Sequence, residues 1–342
     1  MTNPDRECPA TFPGETWENA GPASRGMAEE LVLEAVRHVE EVCGENGVEE
    51  MLIVHEGAIV WQGPHVDRLH RVWSCTKSFL STCFGLLWDD GLLTPEMPAK
   101  DVFPEVSEYY PSMTLEHLAT LTGGYDWEET PLDPAPPMFP PGEAFHYSAQ
   151  SDLLAAILTR LAGRPLEDLF FERIGEPIGI TRETMDWKVW TQDRGIDLNG
   201  GSGRPGGSVH ITGPALARFG WFYANDGVWE ETRLISRRYV DYATVPRTSP
   251  DTPPHDPDGW YTQLPGNYGL NWWTNGVKPD GNRLWPHAPA RTFAAQGNKN
   301  NNCFIIPTWR MVVVRLGMDD IIDMGCYDEM FRLLGESLRK SE

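Results

Sequence analysis

Between Met27 and Val42 the sequence MAEELVLEAVRHVEEV places Leu31, Ala35 and Val39 four residues apart, with acidic residues between them. Apolar side chains at that spacing share one face of a 3.6-residue period, which predicts an amphipathic helix lying on an apolar surface. The run EMLIVHEGAIVWQG (50–63) reads as two short strands around a Glu56-Gly57 turn. In VWSCTKSFLSTCFGLLWDDG (72–91), Phe79, Leu80, Cys83, Phe84 and Leu87 recur at helical spacing with little polar relief. That pattern predicts a buried helix.

From residue 101 to about 255 the pattern changes to helices separated by Pro- and Gly-rich connections, with little alternation of the strand kind. SDLLAAILTRLAGRP (151–165) predicts a helix stopped by Gly163 and followed by Pro165. ITGPALARFGWFYANDG (211–227) predicts another, with Thr212 as N-cap, Pro214 in the first turn and Gly227 past the end. Two long proline-rich connections, 128–143 and 247–266, have the length of functional rims or mobile excursions. Strand character returns at NYGLNWWT (267–274), NCFIIP (302–307) and RMVVVRL (310–316), and a helix over about 326–340 closes the chain. The expected organisation is α/β: a discontinuous lobe from residues 1–100 and 260–342, and an inserted, mainly helical lobe over 101–259, with the active site between them.

Composition narrows the function. The formal net charge is −22, with acids scattered rather than clustered. No Lys/Arg stripe is available to neutralise phosphates, so no nucleic-acid partner is expected, and an acidic surface likewise disfavours anionic membranes. The N-terminal MTNPDRECPATFPGE lacks an apolar core and reads as neither signal peptide nor anchor. Cys8, Cys43, Cys75, Cys83, Cys303 and Cys326 form no C-x-x-C, and no H-E-x-x-H occurs, so free thiols in a cytoplasmic setting are expected and neither metal nor cofactor is.

The candidate chemistry lies at the head of the 72–91 helix. Ser74 and Lys77 are three apart, so on a helix Oγ and Nζ share a face. Burial together with the positive helix end disfavours the ammonium, and a neutral amine beside a hydroxyl is a general base beside a nucleophile. The same S-x-x-K spacing recurs at Ser337 to Lys340 on a charged stretch with no apolar wall. Spacing alone therefore does not decide.

Longer blocks do carry a resemblance. IVHEGAIVWQG, WSCTKSFLSTCFGLLWDDGLLTPEMPAKDVFPE, LEHLATLTGGYDWEE and PPGEAFHYSAQSDLLAAILTRLAGRPLEDL follow one another as in the serine β-lactamase-like superfamily, which the chain resembles from about residue 50 onward. The relevant branch holds class C β-lactamases, D,D-peptidases, family VIII esterases and 6-aminohexanoate-dimer hydrolases. The resemblance implies an antiparallel sheet flanked by helices, with Ser74 as acylated nucleophile, Lys77 as proton acceptor and Tyr147 as proton relay. Where that family has Y-x-N, this chain has Tyr147-Ser148-Ala149. A literal Y-x-N at Tyr223 lies inside the 211–227 helix and is read as packing.

The third motif of the family, K-T-G or H-x-G, corresponds to Ala295-Gln296-Gly297. The resemblance implies that Gln296 and Gly297 border the substrate and that the backbone N–H groups of Ser74 and Asn298 form an oxyanion hole. Lys299, Asn300 and Asn301 replace the usual glycines. Because Ala295 offers no charge, anionic substrates lose a charge-assisted contact, and small neutral esters or amides are favoured. Tyr125 and Trp127 either line the acyl pocket or pack in the core. His146, next to Tyr147, is read as structural. Three outcomes remain: a cofactor-independent serine esterase or amidase, a β-lactamase or D,D-peptidase, or an inert binding module on the same fold.

Overall fold

The computed structural model describes residues 11–44, 47–255, 259, 264–319 and 324–338. Cys8, Lys340 and part of the 247–266 connection lie outside them. Helix α1 (Glu29–Val42) leads into strands β1 (Glu50–His55) and β2 (Ala58–Gln62). Glu56 and Gly57, with φ of 50° and 79°, make the left-handed pair that joins two antiparallel strands tightly. Strand β3 (His70–Arg71) precedes helix α2 (Thr76–Asp89), whose residues from Thr76 to Leu87 are all buried.

The inserted segment contains α3 (Leu115–Ala119), α4 (Gln150–Ala162) and α5 (Leu166–Phe170), then strands β4 (Met185–Trp187), β5 (Val189–Asp193), β6 (Ile196–Asn199) and β7 (Val209–Ile211). After α6 (Gly213–Ala224) come β8 (Val228–Trp229), β9 (Thr232–Arg233) and α7 (Arg237–Ala243). The expected caps are present: Thr212 Oγ1 accepts the Ala215 N–H, and Gly163 ends α4 at φ 65°. Besides its helices, this segment supplies β7 and β4 to a small sheet ordered β3-β7-β4, and it carries two hairpin ribbons. Helix α6, sequence-assigned to the inserted lobe, lies across the main sheet.

The chain then returns through β10 (Trp273–Thr274), β11 (Phe293–Gly297), β12 (Asn301–Ile306), β13 (Met311–Leu316) and α8 (Asp328–Ser337). The expected strand over 267–274 is mostly a turn. Asn271 takes φ 57°, which brings Tyr268 back to bridge Trp273 and leaves two strand residues. All pairings in the six-stranded sheet β10-β11-β12-β13-β1-β2 are antiparallel, and β1 from one chain end pairs with β13 from the other. Strands β1, β12 and β13 are buried at every residue because both sheet faces are covered, which explains their continuous apolar runs. Met51, Ile53, Phe304 and Val313 pack with α1 and α8, whereas Leu52, Val54, Cys303 and Val312 pack toward α2 and α6. No helix among the described residues is long and apolar enough to cross a membrane.

Candidate active site

A short turn, Trp73–Cys75, runs straight into α2 and carries Ser74. Trp73 sits at φ 41°, a conformation that costs a bulky residue energy and that the surrounding contacts must hold. Two ties are visible: the Val209 N–H donates to Thr76 Oγ1 at 3.0 Å, and Cys75 Sγ donates to the Asn301 carbonyl at 3.4 Å. One helical turn beyond Ser74, Lys77 Nζ donates to Ser74 Oγ at 3.1 Å and to the Ser202 carbonyl at 3.0 Å. Ser74 Oγ donates to the same carbonyl at 3.1 Å.

Lys77 is 3% exposed. Burial lowers its pKa from 10.5 to about 8, against the opposing charges of Asp152 and Cys75. Its Nζ lies 4.7 Å from the centre of the Tyr147 ring, which is stacked on Trp273 at 5.1 Å. Tyr147 is placed by the segment before α4. Gln150, fully buried, accepts the Gly123 N–H at 3.1 Å and donates to the His146 carbonyl at 3.2 Å. Phe145 pairs with Pro253 and His255, so the two proline-rich connections are joined through this segment.

The strand side of the site is β11. A Cβ at Gly297 would overlap the Val72 carbonyl and stand 3.1 Å from the Ser74 nitrogen. Gly203, at φ 83°, presses on the same peptide from the 200–208 loop, where a Cβ would fall 2.6 Å from that nitrogen. Glycine at both positions lets two backbones converge on the Ser74 amide. Asn298 follows Gly297 at the strand end. The turn beyond it places Lys299 and Asn300 at φ 63° and 65°, a conformation that asparagine tolerates better than most residues. Asn301 Nδ2 donates to the Asn298 carbonyl at 2.7 Å and to the Gly317 carbonyl at 3.1 Å, while its Oδ1 accepts the Gly317 N–H at 3.1 Å. The asparagine-rich turn is thus fixed by side-chain amides where glycines were expected.

Ser74, Lys77, Tyr147 and Gly297 converge, with Asn298 adjoining. The Gln296 side chain does not join them. It donates from Nε2 to Asn302 Oδ1 at 2.8 Å, and Asn302 in turn bonds Tyr327 on the α1/α8 face of the sheet. Tyr125 is fully buried and donates to the Pro131 carbonyl at 2.8 Å, so it is a core residue behind the site. Half-buried Trp127 packs on it at 6.2 Å. His146 Nδ1 is 2.6 Å from the His255 carbonyl, a structural tie between the two connections. Tyr223 is buried with its hydroxyl 2.8 Å from Thr82 Oγ1, and Ser337 donates to Leu334 O. Sequence reasoning missed Asp152, Ser202, Gly203 and Asn301. For Gln296 the signal was available, since strand neighbours face opposite ways and Gly297 faces Ser74.

A 6-aminohexanoate-dimer hydrolase from Paenarthrobacter ureafaciens is 23% identical over 263 residues, 64% of this chain. That match spans 63% of the relative's own length, less than two thirds. A penicillin-binding protein homologue from Caulobacter crescentus superposes with a TM-score of 0.68 at 20% identity, over 90% of this chain and 98% of the other. A family VIII carboxylesterase does so at 0.67 and 18%, over 90% and 97%. These likenesses carry the fold. Residues 37–319, which include the whole Ser74 site, match the family described as Beta-lactamase. The chain belongs to the beta-lactamase family.

Proposed function

We propose that this chain is a serine hydrolase acting through an acyl-enzyme on small, neutral esters or amides. One observation carries the reading: a buried amine with a pKa of about 8 lies 3.1 Å from a serine hydroxyl. Near neutral pH a useful fraction of Lys77 is uncharged and able to accept a proton. Ser74 Oγ attacks the substrate carbonyl while its proton passes to Lys77 Nζ, and the oxyanion is held by the backbone N–H groups of Ser74 and Asn298. Collapse breaks the bond to the leaving group, which takes the proton back from Lys77 by way of Tyr147. Water then attacks the acyl-enzyme, and Ser74 regains its proton.

Preference for neutral substrates follows from Ala295. It is 1% exposed and uncharged at the position where the family has a cation. The names of the relatives include both an amide hydrolase and an esterase, so both bond types belong in the assay. The buried free thiols Cys43, Cys75, Cys83 and Cys303 support a cytoplasmic site of action. Turnover of p-nitrophenyl acyl esters and of 6-aminohexanoate dimer should exceed that of nitrocefin. Nitrocefin hydrolysis at or above the ester rate would instead identify a β-lactamase.

A further inference from the structure

The turn 201–203 contributes no side chain to the proposed chemistry, yet its Ser202 carbonyl accepts from both Ser74 Oγ and Lys77 Nζ. That carbonyl is where nucleophile and base meet. It is held from behind by Asp152, the third residue of α4, which is 1% exposed. Asp152 Oδ1 accepts the N–H groups of Gly201 and Ser202 at 2.9 Å each, and Oδ2 accepts the Ser202 hydroxyl at 2.7 Å. Arg204 Nη1 lies 3.7 Å from Oδ2, with its side chain 42% exposed. Three donors from one turn on one buried carboxylate fix the two peptides that lead into Ser202 and its side chain, and so aim the carbonyl that follows.

We propose that Asp152 is a positioning residue for the Ser74–Lys77 pair, acting through the Gly201–Ser202 turn whose carbonyl it aims. The proposal rests on the serine-hydrolase reading for its catalytic meaning. Asp152 has a second effect, because its charge opposes the burial that favours neutral Lys77. Facing Lys77 are Cys75 from its own turn, the Tyr147 ring ahead of α4 and Asp152 from α4, with Arg204 standing behind Asp152. Substituting Asp152 therefore separates position from charge. Asp152→Asn keeps an oxygen for the two N–H groups and turns its amide toward the Ser202 hydroxyl, so geometry survives while charge goes. Asp152→Ala removes the clamp.

The experiment is a carbon-13 NMR titration of lysine-labelled full-length chain, in which Lys77→Met assigns the resonance among the six lysines. In Asp152→Asn the Lys77 midpoint should move below its wild-type value by about one pH unit. In Asp152→Ala, kcat for the ester should fall about 10²-fold while KM changes little, since a misplaced base affects the chemical step. Unchanged kcat in Asp152→Ala overturns the positioning proposal, and an unmoved midpoint in Asp152→Asn overturns the charge effect. Should Asp152→Ala fail to fold, Ser202→Ala, which removes one of the three donors on Asp152, takes its place: a lowered kcat at unchanged KM supports the clamp and an unchanged kcat overturns it. Should wild type hydrolyse nothing, the functional reading fails while the titration still tests the contact.

Discussion

Among the buried cations of the described residues, Lys77 at 3% exposure lies on one side of the main sheet and Arg315 at 0% on the other. Burial disfavours both charges, and the outcome is opposite. Arg315 forms an ion pair with Asp319 and donates to the carbonyls of Gly47, Asn300 and Cys43. Its desolvation, the largest single effect, is outweighed by the Asp319 hydrogen bond together with the charges of Tyr327, Cys43 and Asp319, and its pKa rises. Lys77 is given a hydroxyl, a carbonyl and an aromatic face, with its carboxylate kept one peptide away, and its pKa falls to about 8. In this pair of sites the cation with its anion in contact keeps its proton, and the one with its anion at one remove has it loosened. The residue types agree, since guanidinium keeps its proton and an amine can give it up.

The comparison can be broken at several points. Ser74→Ala should lower ester turnover by at least about 10⁴-fold with the fold intact by circular dichroism. Lys77→Met should cost about 10³-fold in kcat. It should also stabilise the protein at pH 7, by up to about 3 kcal/mol, because the folded pKa of Lys77 lies below its ordinary value. The sign follows from proton counting. Between pH 8 and 10.5 the unfolded chain holds a proton that the folded one has released, so wild-type stability rises across that window and the advantage of Lys77→Met shrinks there. Denaturant midpoints at pH 7 and pH 10 check it.

On the other side of the sheet, Arg315→Met leaves Asp319 buried without its partner and should destabilise by about 3–5 kcal/mol, measured by denaturant unfolding. Activity per folded molecule should change little. Gly297→Ala sharpens the catalytic half. The added methyl cannot fit beside the Val72 carbonyl, so β11 must retreat from Ser74 and kcat should fall about 10²-fold, the scale of losing one oxyanion donor.

The contact between Ser74 and Lys77 was legible in the sequence, because it is local. Ser74 and Lys77 share one turn, and the apolar run from Phe79 to Leu87 announces the wall that buries Lys77. The left-handed pair Glu56-Gly57, the Thr212 cap and the Gly163 stop are local signals as well. What stayed hidden depends on segments distant in sequence. Asp152 meets Ser202 across 50 positions, and Ser202 meets Lys77 across 125. The strands β3, β4, β7, β8 and β9 have two or three residues each, too few to display alternation. Asn301 reads as a lost glycine until its amide is found holding the Asn298 carbonyl.

The central claim is that an uncharged, buried Lys77 makes Ser74 reactive. The most direct measurement is the rate of fluorophosphonate labelling as a function of pH, with the modified peptide mapped by mass spectrometry. A single adduct on Ser74, forming faster as pH rises through about 8 and lost in Lys77→Met, is the predicted result. No adduct on Ser74, or a Ser74 adduct whose rate is the same at pH 6 and pH 9, would contradict the account.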